Sequence, residues 1–99
     1  MNPQPKHKPW RSKKYLDYIR EQTCLICGEN QTEAHHTKIF NHGGKSRKPS
    51  DYWCIPLCME HHNEIHNKGV KTFYKSYEVD IWIDLFTMVS EYLKKITDN

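Results

Sequence analysis

The feature that most constrains this chain is the order in which its thiols and imidazoles occur. Cys24-Leu-Ile-Cys27-Gly28 comes first, Glu33-Ala34-His35-His36 follows, and Cys58-Met59-Glu60-His61-His62-Asn63-Glu64-Ile65-His66 closes the series. A Cys-x2-Cys-Gly turn lets two thiolates converge on one ion, and its glycine permits close backbone approach. Read alone, Cys-x2-Cys is also open to a redox role. Here, however, it does not open a helix after a strand, and a second half-site lies downstream. A staple of this kind is what the chain needs. It has 99 residues, of which 36% are hydrophobic, and a single domain of this size buries only a modest share of its surface. Disulfides are a poor first guess for the staple. The N-terminal MNPQPKHKPWRSKK is basic with no apolar segment behind it, which is not the pattern of a secretory signal. No apolar run approaches the ~20 residues of a membrane span.

Charge is unevenly spread. Residues 1–48 carry ten Lys/Arg against four Asp/Glu, whereas residues 49–99 carry five against eight. The first half offers a polyanion an attractive face, with nucleic acid the natural candidate; it reads equally as a solvated surface. Residues 1–11 look like a flexible basic arm, and residues 12–99 like one domain. In the arm, Lys6, Lys8 and Arg11, with Lys13 and Lys14 beyond, surround Trp10 and could track a single strand by charge and stacking, or form a plain tail.

The spacing predicts a first helix capped by Ser12, burying Tyr15, Leu16, Tyr18 and Ile19 and stopping near Gln22. Thr32 to Lys38 reads as a strand, Asn41 to Ser50 as a loop, and Asp51 to Leu57 as a second strand with Pro56 at an edge. Helices are expected over Met59 to Asn67, stopped by Gly69, and over Lys71 to Tyr77. A last helix, capped by Asp80, runs to about Ile96, with Ile81, Leu85, Met88, Val89, Tyr92 and Ile96 as its buried stripe. The expected class is α+β.

The simplest partition uses every strong ligand once. Residues four apart on a helix share a face, so His62 and His66 can grip one ion with one histidine of the 35–36 pair. This is a three-ligand site with a position open for water or a phosphate oxygen. Cys24, Cys27, Cys58 and His61 make a closed tetrahedral site for structural zinc. The remaining histidine is left to act as a base near neutral pH. Cys54 falls outside both sets, although spacing alone leaves a swap with Cys58 open.

The text C24LIC27G, E33AHH36 and P56LCMEHHNEIH66 resembles the HNH, or ββα-metal, nuclease family, and the later FYKSYEVDI resembles small phage and prophage members with an extra helical segment. The resemblance covers about residues 24–77. It implies a zinc-stapled ββα-metal core over about 24–68, flanked by an N-terminal helix and by C-terminal helices over about 70–97. It implies a metal-dependent endonuclease hydrolysing DNA with low sequence preference. His35 would be a metal ligand with His62 and His66, and His36 the general base. His61 stands where the second knuckle usually has cysteine. The ion implied is Mg²⁺, Mn²⁺, Ni²⁺ or Zn²⁺, beside structural Zn²⁺. Lys38, Lys45, Arg47 and Lys48 would clamp phosphates. The family's middle asparagine falls at Trp53, which cannot hydrogen-bond a base in the same way. Asp51, two residues earlier, is the candidate to orient His36. The alternative is a zinc-stabilised nucleic-acid-binding or recombination-adaptor module with a weakened site. The implied setting is the cytoplasm of a bacterium or phage-infected host, with DNA and a recombination or packaging protein as partners and no membrane.

Overall fold

Ser12 has extended backbone angles, and its side-chain oxygen accepts a hydrogen bond from the Tyr15 N–H. This satisfies one of the donors a helix start leaves over and opens α1, Lys13–Arg20. The computed structural model describes residues 10–37 and 49–97. After α1 come β1 (Glu33–His36), a 3₁₀ turn (Asp51–Trp53), β2 (Cys54–Leu57), α2 (Met59–Lys68), α3 (Val70–Tyr77) and α4 (Ile81–Thr97). The class is α+β, with one two-stranded antiparallel sheet and helices on both of its faces.

The sheet is short and its register is fixed. Glu33 lies opposite Leu57, Ala34 opposite Pro56, His35 opposite Ile55 and His36 opposite Cys54. All four residues of β2 are buried, because both of its faces are covered. Ile55 and Leu57 enter one cluster with Ile65, Phe73, Tyr74, Ile81 and Leu85. Cys54 enters the other with Tyr15, Tyr18 and Ile19 of α1, against which Met88, Val89 and Tyr92 of α4 pack. Tyr92 meets the rings of Tyr15 and Tyr18 edge-on, at centroid distances of 4.9 and 5.2 Å.

Several expectations shift. The second strand starts at Cys54, because Asp51–Trp53 curls into a 3₁₀ turn. The first strand is only Glu33–His36. The first helix ends at Arg20 rather than near Gln22. Ile96, expected in the buried stripe of the last helix, is 52% exposed, because it lies in line with the exposed Trp82, Phe86 and Leu93 rather than with the inward-facing Ile81 and Leu85. Trp10 and Arg11 do not behave as part of a free arm. Trp10 stacks on Tyr52 at 4.1 Å, its N–H donates to Ser50 Oγ and its carbonyl accepts from the Asp51 N–H. Asp80 does cap α4, its Oδ1 accepting from the Trp82 and Ile83 N–H groups. Gly69 joins α2 to α3 at φ 85°, a backbone angle that strains any residue with a side chain.

Phe73 is fully buried at the centre of the larger cluster, in ring contact with Tyr74, Tyr77 and His61. Phe73→Ala is expected to cost about 3–5 kcal/mol, the usual range for emptying such a site; the shift of the urea midpoint at constant slope measures it.

Candidate functional site

The chemistry is sorted by the pleat of β1. Neighbouring strand residues point to opposite faces, and residues paired across an antiparallel ladder share one. His35, opposite Ile55, therefore faces α2. His36, opposite Cys54, faces the α1 side. Glu33, two residues before His35, shares the α2 face.

Three donor groups result. Cys24, Cys27, Cys58 and His61 bring one ligand atom each to within 4.8 Å of one another. Cys27 Sγ lies 3.7 Å from Cys58 Sγ, and His61 Nδ1 lies 3.1 Å from Cys58 Sγ and 3.7 Å from Cys24 Sγ. The sulfur–sulfur distance matches the ~3.7 Å edge of a tetrahedron with ~2.3 Å zinc–sulfur bonds. The turn is built for it: Gly28, at φ 78°, donates its N–H to the Cys24 carbonyl. Burial raises the Cys24 thiol, but N–H groups of Cys58, Cys27 and Ile26 aimed at its sulfur outweigh that and pull it down to about 7. All four cysteines are free of disulfides, so this group could hold a metal ion.

The second group is His35, His62 and His66. Their ring centroids are 4.8–5.1 Å apart. His35 is buried, and its Nε2 has no hydrogen-bond partner. Burial first, then the neighbouring His62, His66 and His36, depress its pKa to about 3. A neutral, buried imidazole with an orphaned nitrogen, beside two further imidazoles, is the donor set of a cation site. His66 is exposed, so the group opens to solvent on one side. Glu33 Oε2 sits 3.3 Å from His62 Nδ1. A carboxylate in that place fixes the ring and leaves Nε2 for an ion.

The third group is His36, Asp51 and Cys54. His36 Nε2 donates to Asp51 Oδ1 at 2.8 Å. Asp51 is buried, and its other oxygen accepts from the Ser12 N–H at 2.7 Å while Arg11 Nη1 approaches Oδ1 at 3.4 Å. Burial raises this carboxyl; His36, Ser12 and Arg11 overcome it and hold it below the ordinary aspartate value. Both carboxylate oxygens are thus engaged, and the set orients an imidazole rather than offering a vacant cage. Trp53 turns its ring toward Trp82, 6.2 Å away, and its carbonyl accepts from the Thr37 N–H.

Every candidate ligand from Cys24 to His66 thus falls in the group expected of it, and Asp51 meets His36. Lys38, Lys45, Arg47 and Lys48 lie outside the described residues, as do His7 and His42. Sequence reasoning missed Glu33 as a partner of His62. Its spacing of two from His35 on a strand was the available signal.

The fold and these groups define a small α+β protein with a Cys/His cluster that could hold metal. The chain belongs to a family described as a protein of unknown function (DUF968), whose model matches residues 2–90. It is 36% identical over 66 residues to YdfU of Escherichia coli (strain K12), described as an uncharacterized protein; the match takes in 67% of this chain and 19% of that one. The chain thus spans about a fifth of the length of the curated relative it matches. No solved structure matches it. No helix among the described residues is long and apolar enough to cross a membrane.

The two candidate metal groups are expected to respond separately to mutation. Cys27→Ala is expected to remove metal binding at the thiol group and, with it, much of the folding stability, since metal binding at a closed site is folding free energy. His66→Ala is expected to keep the fold and lose ion binding at the histidine group. Metal content by mass spectrometry, paired with thermal unfolding, checks both. Glu33→Gln should weaken ion binding at the histidines by about 10–100-fold and leave the thiol site full, read by competition with a metal indicator.

Proposed function

We propose that this chain is a metal-dependent endonuclease that hydrolyses DNA phosphodiester bonds with low sequence preference, built on a ββα-metal core. The observation that carries the reading is the pairing of two histidine roles on adjacent residues of one strand. His35 is buried beside His62 and His66 with its Nε2 unpartnered, and His36 is held by a buried carboxylate. The order of two antiparallel strands followed by a helix that brings two histidines four residues apart supports it as well.

A divalent ion bound at His35, His62 and His66 would supply Lewis-acid stabilisation of the charge developing on the phosphate and leaving oxygen. The residues do the rest. With Nε2–H donated to Asp51, the tautomer of His36 places its lone pair on Nδ1, the atom that takes a proton from the attacking water. The water oxygen bonds to phosphorus, the bond to the 3′ oxygen breaks, and that oxygen is protonated from solvent. Asp51 stabilises the imidazolium that forms and keeps the ring from turning. The carboxylate thereby does from position 51 what an amide at position 53 would do in the family pattern. Glu33 positions His62. The basic residues Lys38, Lys45, Arg47 and Lys48 are the phosphate clamps in this reading, and their contacts weaken as salt rises.

Supercoiled plasmid incubated with Mg²⁺, Mn²⁺ or Ni²⁺ tests the proposal. The wild-type chain is expected to nick and linearise it. His36→Ala is expected to lose about 10²–10⁴-fold in rate with its zinc content intact. Asp51→Asn is expected to lose less in rate but also to lower stability by about 1.5–3 kcal/mol, the worth of a hydrogen bond to a charged group. DNA binding with no metal-dependent cutting under any of these ions would overturn the nuclease reading in favour of a zinc-stabilised binding module.

A further inference from the structure

The last helix has two apolar seams. Ile81, Leu85, Met88 and Tyr92 turn inward against β2, the 3₁₀ turn and α1. A second seam runs Trp82, Phe86, Val89, Leu93 and Ile96, with steps of four, three, four and three residues. That alternation is the pattern by which a helix seats another helix side by side. Four of its five members are exposed: Trp82 47%, Phe86 75%, Leu93 51% and Ile96 52%, with Ile83 beside them at 63%.

We infer that this face joins two copies of the chain, α4 against α4, antiparallel about a two-fold axis near Val89. The surface is complementary to itself, as a two-fold interface must be. Its N-terminal half forms an open apolar groove between α4 and the 3₁₀ turn, walled by Tyr52, Trp53, Trp82 and Phe86. Its C-terminal half presents the aliphatic side chains of Leu93 and Ile96. Antiparallel placement about Val89 sets Ile96 of each copy against Trp82 of the other, and Leu93 against Phe86, so each groove receives the other copy's aliphatic end. Antiparallel placement also brings opposite dipole ends of the two helices together.

The area is also adequate. With ordinary side-chain areas, the exposed parts of Tyr52, Trp82, Ile83, Phe86, Leu93 and Ile96 amount to roughly 700 Å², beyond the ~300–600 Å² of a typical monomer's largest patch and close to the ~800 Å² that each partner of a stable complex buries. The inference does not depend on the histidine chemistry.

Sedimentation equilibrium of the full chain over the micromolar range tests it. The wild type is expected at twice its 11.9 kDa chain mass. Phe86→Glu and Ile96→Lys, in opposite halves of the seam and both on exposed positions, are expected to return to the chain mass with unchanged helix content and metal content. A wild type that stays at the chain mass up to its solubility limit overturns the inference and hands the face to a different polypeptide or to nucleic acid. Either folded variant keeping the doubled mass overturns it as well.

Discussion

The pairing of four residues of β1 with four of β2 is the contact on which the rest of the molecule depends. It is barely longer than the minimum for a ladder, yet it carries helices on both faces, and two strands alone would be marginal in water. The burial of Ile55 and Leu57 on one side and Cys54 on the other holds the register. A slip by one residue would exchange the faces of His35 and His36. His35 would then leave His62 and His66, and His36 would leave Asp51. Hydrophobic packing of β2 and the division of chemistry on β1 are therefore the same constraint.

The two candidate metal groups differ in the way their surroundings allow. The Cys24–Cys27–Cys58–His61 set is mostly buried and sulfur-rich, and it ties the segment after α1 to the start of α2. Cys24 and Cys58 also belong to the larger apolar cluster, against which Leu25 and Ile26 pack. His61 also packs edge-on to Tyr77 at 5.6 Å, and Glu64, which faces its second nitrogen at 4.0 Å, is held by Tyr77 and Lys68. The histidine group is built the other way, with one buried member that is kept neutral and one exposed member that leaves an approach. A closed site favours stability and an open one favours exchange of ligands.

Asp51 links the N-terminal end of the described chain to the centre. It accepts from His36 and Ser12, lies near Arg11, and its own N–H reaches Trp10. The start of α1, the 3₁₀ turn and β1 are thereby locked to one buried carboxylate. Removing its charge affects both the orientation of His36 and the seating of α1, so the placement of that imidazole and the stability of the fold are coupled at this residue.

The sequence by itself determined the local donor pairs from which the candidate metal groups are built. Cys24 to Cys27, Cys58 to His61 and His62 to His66 are separations short enough for local backbone geometry to bring donors together, whatever the rest of the chain does. Ser12, Gly69 and Asp80 marked helix ends because capping is also local. The tertiary structure alone decided the rest. Trp10 is seated because Ser50, Tyr52 and Asp51, some forty residues on, supply its partners. Glu33 meets His62 only when β1 lies on α2. The curl of Asp51–Trp53 puts a carboxylate under His36, which a continuous strand would not predict. Ile96 is compatible by spacing with two stripes of one helix, and only the packing of β2, the 3₁₀ turn and α1 against α4 decides which stripe is covered.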